Sequence, residues 1–318
     1  MAVDALVGRR RGGEEQGGGR YPGSGPSPPG YAGGPPLAKA NSSSSGGNAW
    51  HHPARNGNVA GGADKGIPLQ KALQGIEEER ASEWAVRCAS AALENPQAGR
   101  SDVELVLAKL TSWLAPPAPP QVISLVSSSG IPNAVIRAIR KFRNEPPAAA
   151  LAAVVVVRSA VSADSAAAHV RAGAIEEVTG LMDRHPTHGG VQNVCLLMLC
   201  VLLKDSTAAR QAVTLGTVSR VLRAMEAIAG REVQFNGLSA LRLLTDNGRA
   251  PRAGLQDAAL RAKVAHANDN PISAVANDVL ALVTPRFKEV LCWHWQSGWC
   301  KLGPRCTYAH GPTDLRSS

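Results

Sequence analysis

Aromatic residues are scarce in this chain of 318 residues, which is 44% hydrophobic but only 4% Phe, Trp and Tyr. Long apolar runs are missing too, since the two longest, at 148–157 and 194–203, have ten residues each. A helix needs roughly twenty apolar residues to cross a bilayer, so both runs predict buried helices and no membrane partner is expected. The N-terminus, MAVDALVGRRRGG, is the reverse of a secretory signal, which predicts an intracellular protein of the nucleus or cytoplasm.

The sequence also lacks the motifs of common catalytic sites. It has no Gly-rich phosphate loop, no nucleophile elbow and no helical His-Glu-x-x-His pair. We therefore expect neither an enzyme nor a small-molecule substrate. What the chain does have is an excess of positive charge, formally +9 with a pI near 9.6, and this favours polyanionic partners such as nucleic acid.

Residues 1–66 differ in composition from everything that follows. They contain 17 Gly and 7 Pro, so these two residue types fill 24 of the 66 positions. That share exceeds the roughly 25–30% above which a segment without periodicity is read as disordered. The sequence therefore predicts a disordered segment at 1–66.

A repeat of 43 residues occupies the middle of the chain. Residues 67–285 are rich in Ala, Leu and Val with apolar residues at helical spacing. Three similar segments, GIPNAVIRAI, GAIEEVTGLM and GTVSRVLRAM, begin at Gly130, Gly173 and Gly216. Such a period predicts an all-α fold of the solenoid type, because each unit buries its apolar face only against its neighbours.

The second halves of the units also agree. VQNVCLLMLCVLL from Val191 aligns with VQFNGLSALRLLT from Val233, with three pairs of leucines in register. This arrangement resembles an armadillo repeat, with the related HEAT repeat as the alternative. The resemblance implies a domain at 67–285 that binds protein partners, with a degenerate first unit at 69–129 and a shortened last unit at 254–283. Armadillo import receptors carry a ladder of Trp and Asn that this chain lacks, so an import-receptor role is not expected.

Some residues in the repeats attract attention for their chemistry. Cys195 and Cys200 lie five residues apart in the most apolar predicted helix, and we interpret them as small core residues. Four basic residues form a patch that is either a solvated outer face or an extension of a nucleic-acid path: Arg137, Arg140, Lys141 and Arg143.

Near the C-terminus, the stretch CWHWQSGWCKLGPRCTYAHG holds half of the six cysteines and half of the six tryptophans. Its spacing is Cys292-x7-Cys300-x5-Cys306-x3-His310, which is a complete tetrahedral shell for one structural Zn²⁺ with no open position for a catalytic water. His294 is an alternative to His310 as the fourth ligand. Because 19 residues are too few for a core of their own, metal ligation must supply most of the folding free energy.

The residues around these ligands are similar to those of a known family. RFKEVL precedes Cys292 and GPTDLR follows His310. The pattern resembles CCCH zinc fingers of the tristetraprolin type over residues 286–316, although seven residues instead of eight separate the first two cysteines. The resemblance implies binding of single-stranded RNA, whose bases stack on aromatic rings while basic residues contact phosphates.

The predicted RNA contacts follow from that resemblance. The two stacking positions of the family fall on Leu302 and Tyr308, so one ring is missing, and Trp299 is the hypothetical replacement. Trp295 falls on an aromatic position that packs inside such fingers. The full set of predicted RNA-binding residues is Arg286, Lys288, Trp299, Lys301, Arg305 and Tyr308.

The sequence thus predicts an RNA-binding adaptor. Its finger would bind single-stranded messenger RNA when loaded with zinc, and its helical repeats would recruit protein partners in post-transcriptional regulation. The alternative is a protein scaffold whose zinc finger is structural and does not read RNA.

Overall fold

A computed structural model describes residues 67–77, 81–284 and 287–315. Within these ranges the fold is all-α with no strands, as predicted. The predicted disordered segment at 1–66 lies outside the described residues. In the described ranges no single helix is long and apolar enough to cross a membrane. One pair of helices reaches that length and hydrophobicity only when its two members are counted together, across a bend of 69°.

The described residues form fifteen α-helices, numbered here in chain order. They are α1 Leu69–Gly75, α2 Glu83–Glu94, α3 Arg100–Trp113, α4 Pro120–Ser128, α5 Ile131–Lys141, α6 Pro146–Ser159, α7 Ala163–Arg171, α8 Ala174–Arg184, α9 Gly189–Leu202, α10 Ser206–Thr214, α11 Thr217–Ala227, α12 Arg231–Asp246, α13 Leu255–Ala265, α14 Asn270–Val283 and α15 Trp293–Gln296.

The helices from α4 to α12 form three similar units of three helices each. In each unit a first helix of nine residues is followed by a second of 11 and a third of 14 to 16. The first helices begin at Pro120, Ala163 and Ser206, at the predicted interval of 43 residues. The sequence placed α4 in the first unit, at 69–129, but α4 precedes Gly130 as α7 precedes Gly173 and therefore belongs to the second unit.

Two glycines of the repeat are required by backbone geometry. Gly173 and Gly216 have φ values of 94° and 73°, in the left-handed region that residues with a Cβ rarely adopt. Each one separates the first helix of its unit from the second. Gly130 has the same place in the sequence but a φ of −69°, and there a Cβ would lie 2.7 Å from Ser90 Oγ. The same pattern thus reflects two different constraints.

The third helices pack side by side and form the main core. Contacts join α3 to α6, α6 to α9, α9 to α12 and α12 to α14 in one row. The leucines that the sequence aligned in register are all fully buried there: Leu196, Leu199, Leu202, Leu238, Leu241 and Leu244. The predicted helical solenoid is therefore confirmed for the described part of the chain.

A buried glutamine ties the second helix of a unit to the third. Gln192, the fourth residue of α9, donates from Nε2 to the carbonyl oxygens of Met182 and His185, at 2.9 Å each. Gln234, the fourth residue of α12, donates to the equivalent carbonyls of the next unit at 2.6 and 2.8 Å. These carbonyls end the second helices, where no intrahelical donor remains for them.

We expect Gln234→Leu to lower the free energy of unfolding by about 1–3 kcal/mol, because buried carbonyl groups lose their donor. Urea denaturation followed by circular dichroism at 222 nm measures this loss. Gln256→Leu, at an exposed position of α13, is the matched control and should leave the midpoint nearly unchanged. Equal midpoints for the two variants would contradict the assigned role.

The two cysteines of α9 are core residues, as predicted. Cys195 is fully buried, and Cys200 is half-buried against the core with its Sγ 3.5 Å from the carbonyl oxygen of Asn236. Burial raises the pKa of both thiols to about 12. Both therefore remain protonated at neutral pH, and neither has the thiolate character of a reactive cysteine.

Three of the four residues in the predicted basic patch join neighbouring units. The Nε of Arg140 lies 2.7 Å from a carboxylate oxygen of Glu177, and Arg137 pairs with Glu94. Lys141 donates to a backbone carbonyl of the preceding unit at 2.8 Å. Much of the patch is therefore occupied by contacts between units and is less available to a nucleic-acid backbone.

Candidate metal centre

Backbone pairing brings the two ends of the finger together. Leu291 and Ala309 form an isolated parallel bridge, with Cys292 N donating to Ala309 O at 2.8 Å and Ala309 N donating to Val290 O at 2.9 Å. The first cysteine thus lies beside the strand-like residues that lead to His310. This pairing closes the loop that carries the four predicted ligands.

Two short helical turns position the middle cysteines. The single turn α15 begins directly after Cys292 and ends at Gln296, and Gly298 follows with a left-handed φ of 108°. The chain then returns to Cys300, and a 3₁₀ turn at Gly303–Arg305 leads into Cys306. Tight turns of this kind let three cysteines converge within a short segment.

The four predicted ligands converge on one point. One ligand atom each from Cys292, Cys300, Cys306 and His310 lies within 4.8 Å of the others, and the three cysteines are buried. Zn–S distances near 2.3 Å in a tetrahedron imply sulfur–sulfur separations of about 3.8 Å, which this cluster accommodates. The Nε2 of His310 is buried and has no hydrogen-bond partner among the described residues, as expected of an atom aimed at a metal.

The surroundings shift the pKa values of these ligands in different directions. Burial, together with the positive charge of Lys288, lowers the pKa of His310, which favours the neutral imidazole that ligates metals. Burial alone would raise the pKa of Cys292, but N–H groups of Trp295 and His294 and the neighbouring thiols donate to its sulfur and lower it. Burial, together with the neighbouring cysteines, raises the pKa of Cys306 to about 11, so metal binding must displace the proton of this thiol. The donor set and its closure fit one structural zinc ion.

Groups behind His310 hold the ligand in place. The ring of Trp295 stacks on the imidazole with centroids 4.6 Å apart and an interplanar angle of 7°. The backbone N–H of His310 donates to Asp314 Oδ2 at 2.8 Å. Burial alone would raise the pKa of Asp314, but the hydrogen bonds from Lys288 and His310 lower it and keep the carboxylate charged. Second-layer contacts of this kind orient metal ligands.

Lys288 does not have the place that the sequence predicted for it. Its side chain is almost fully buried, and its Nζ lies 2.6 Å from Asp314 Oδ2 and 2.8 Å from the carbonyl oxygen of Tyr308. A phosphate contact is therefore a wrong assignment, because the ammonium group is already satisfied inside the finger. Its backbone φ of 60° is uncommon for a residue with a Cβ, and such strain persists only where contacts fix the position.

The remaining predicted RNA contacts are exposed on the finger. Trp299 is 68% exposed and Tyr308 51%, and the side chains of Lys301 and Arg305 are also in solvent. Neither of these two cations is paired with an acid in the part of the chain that the structure describes. Arg286, the sixth predicted contact, lies outside the described residues.

Further residues of the finger qualify the prediction. Trp293 is 72% exposed, more than either of the two predicted rings, although it is not among the predicted contacts. His294 packs against the edge of that ring and is not part of the ligand cluster, so His310 is the fourth ligand. Leu302 is exposed at the position where the resembled family stacks a ring. The sequence analysis did not identify Asp314 as a residue that supports a ligand. Its position four residues after His310 is the feature of the sequence that could have indicated this role.

Comparison with known proteins agrees with this geometry at the finger. Residues 287–312 match the family "Zinc finger C-x8-C-x5-C-x3-H type (and similar)". The segment is a CCCH zinc finger. Its ligands enclose one structural zinc, and the match does not extend to the helical part of the chain.

Two solved structures match about two thirds of the chain. An engineered protein from the Northeast Structural Genomics Consortium has a TM-score of 0.52 at 16% identity, covering 68% of this chain and 89% of its own. A second engineered protein from the same consortium has a TM-score of 0.49 at 14% identity, with coverage of 68% and 91%. At such identity the first likeness concerns the fold alone. No curated protein matches this chain significantly.

Proposed function

We propose that this protein is a zinc-dependent adaptor that binds single-stranded RNA through its finger and protein partners through its helical repeats. The observation that carries the proposal is the exposure of Trp299 and Tyr308 together with the exposed cations Lys301 and Arg305, which have no acidic partner among the described residues. The resemblance to tristetraprolin-like fingers extends the proposal to messenger RNA and its post-transcriptional regulation.

The exposed aromatic rings of the small finger are suited to contact a binding partner. The finger's own buried cluster consists of three cysteines, so its aromatic rings contribute little to an apolar interior. Every base offers a flat face, and stacking on an exposed ring contributes about 1–3 kcal/mol per base. Two exposed rings and two cations therefore suit a few nucleotides of single-stranded RNA, whose bases are free to turn outward.

The repeats supply the second half of the proposal. Units of a nine-residue, an 11-residue and a longer third helix are typical of armadillo repeats, and successive units pack against one another in a row. Solenoids of this kind use such extended surfaces to bind other proteins. We assign protein recruitment to the repeats and RNA binding to the finger.

The proposal assigns binding and not catalysis. Four protein ligands saturate a tetrahedral zinc ion, so no coordination position remains for a water nucleophile. Zinc-bound thiolates also require a reducing compartment, which fits an intracellular protein of the nucleus or cytoplasm.

We expect Trp299→Ala and Tyr308→Ala each to weaken binding of short single-stranded RNA by about 5- to 150-fold, because each removes one stacking platform. Fluorescence anisotropy with labelled U-rich, A-rich and mixed RNAs measures the affinity. Trp84→Ala, at a partly exposed tryptophan of α2, is the matched control and should bind like the wild type. Zinc content, measured by mass spectrometry, should stay at one ion per chain in all three variants.

Leu302 favours a second candidate function, because a leucine replaces one of the rings that would stack on RNA. In that case the finger would bind a protein. If all three variants and the wild type bind RNA equally, the chain is a general polyanion binder. If none binds, the finger is a protein-binding module and the RNA proposal is wrong.

A further inference from the structure

The finger is attached to the repeats by a buried phenylalanine. Phe287 is 3% exposed and belongs to the main hydrophobic core of the helical domain. The finger's own cluster contains only Cys292, Cys300 and Cys306. The lead-in to the finger thus contributes its aromatic side chain to the neighbouring domain, while the finger itself depends on the metal for its interior.

Two ammonium groups approach the Phe287 ring from different parts of the chain. Lys263 of α13 has its Nζ 6.0 Å from the ring centroid and donates to Asn277 of α14 at 2.8 Å. Lys288 of the finger has its Nζ 5.9 Å from the same centroid and pairs with Asp314. Both helices of the last pair are therefore linked to the finger through one aromatic ring.

The contact extends beyond this ring. The 3₁₀ turn at Gly303–Arg305, which leads into a zinc ligand, packs against α13. Between α14 and the finger lies a cleft of about 310 Å³, whose lining includes Asn277 and Asp278 of α14 and Lys288 and Asp314 of the finger. Each of the two last solenoid helices thus has finger residues against it.

The contact between the finger and the repeats lies at the last pair of helices in the solenoid. Each unit of a solenoid buries its apolar face against its neighbours, so the last unit needs a cap in place of the next repeat. Here the last unit is shortened to α13 and α14. The finger lies where a following repeat would otherwise cover the pair.

The geometry points to a function of the zinc site beyond RNA: the finger is the C-terminal cap of the solenoid, and zinc binding and folding of α13–α14 are one cooperative event. Loss of the metal unfolds the segment that fixes Phe287, the 3₁₀ turn and Lys288 against the pair, and thereby loosens both helices. The inference rests on the zinc site and its contacts, and it holds whether or not the finger binds RNA.

Hydrogen exchange of the full chain with and without zinc tests this coupling. After chelation we expect the protection of α13 and α14 to fall by about tenfold or more, a typical size for coupling between sites. Protection in α8 and α9, which pack against other helices in the middle of the repeats, should not change. Unaltered protection of α13 and α14 in the metal-free protein would overturn the inference.

Coupling is reciprocal, which provides a second and independent measurement. Phe287→Ala should lower the affinity for zinc, by at most the factor by which zinc protects α13–α14, although Phe287 is not a ligand. Competition with a chromophoric chelator measures this affinity. Phe142→Ala is the matched control, because Phe142 is also buried with a lysine ammonium over its ring at 5.3 Å but lies at the end of α5. Equal zinc affinities in the two variants would contradict the inference.

Phe287→Leu keeps most of the buried apolar area, so this variant distinguishes the loss of the ring contact from a general failure to fold. It should lie between wild type and Phe287→Ala in both zinc affinity and protection of the terminal pair. If Phe287→Leu and Phe287→Ala both bind zinc like the wild type, the finger is an independent unit that only rests on the solenoid.

Discussion

Cys306→Ser removes zinc from the protein and unfolds residues 287–315. The serine oxygen is a poor zinc ligand, and the remaining three groups leave the tetrahedral shell incomplete. Structural zinc contributes apparent binding free energies of about 10–16 kcal/mol in finger peptides, far more than the small apolar interior here provides. Metal analysis should give no retained zinc, and the near-ultraviolet signal of the finger tryptophans should collapse.

Cys200→Ser is the matched control for this substitution. Cys200 lies in α9, and its thiol donates weakly to the carbonyl oxygen of Asn236, to which a serine hydroxyl can also donate. That variant should keep one zinc ion per chain. Retention of stoichiometric zinc by Cys306→Ser would show that Cys306 is not a ligand.

Leu199→Ala and Leu241→Ala each lower the free energy of unfolding of the repeats by about 3–5 kcal/mol. Both leucines are fully buried, one in α9 and one in α12, and truncation leaves a cavity that the packed row of third helices fills only in part. Because they occupy equivalent positions in successive units, we expect losses of similar size. Denaturant unfolding followed by circular dichroism measures both.

Leu215→Ala is the control for this pair, since Leu215 is exposed at the end of α10 and should cost about 0.5 kcal/mol or less. Two strongly different losses at Leu199 and Leu241 would contradict the equivalence of the units. A loss at Leu215 equal to that at Leu199 would contradict the assigned core.

The sequence predicts the zinc ligands and the long helices well because each depends on a local pattern. Thiolate and imidazole ligands must be spaced within one short segment, and Leu196 and Leu238 recur with the period of their helices. The first helices α4, α7 and α10 were not predicted as separate elements. They have only nine residues, too few to show a helical period clearly.

In the finger, the exposure of individual side chains and the residues that they contact were harder to predict. Lys288 looked like a phosphate contact because it lies among basic residues, but its partner Asp314 follows 26 residues later and is brought near by the metal-centred fold. Phe287 looked like part of the finger, yet it is buried in the core of the repeats. Both depend on contacts between separate segments, which composition and spacing do not encode.

The most direct test of the account is the affinity of the full chain for labelled single-stranded RNA, measured across a salt series with zinc bound and after chelation. We predict salt-dependent binding that is lost with the metal, while most of the helical signal from the repeats remains. Equal affinity with and without zinc would contradict the account, because RNA would then be bound by the positive charge of the chain and not by the folded finger.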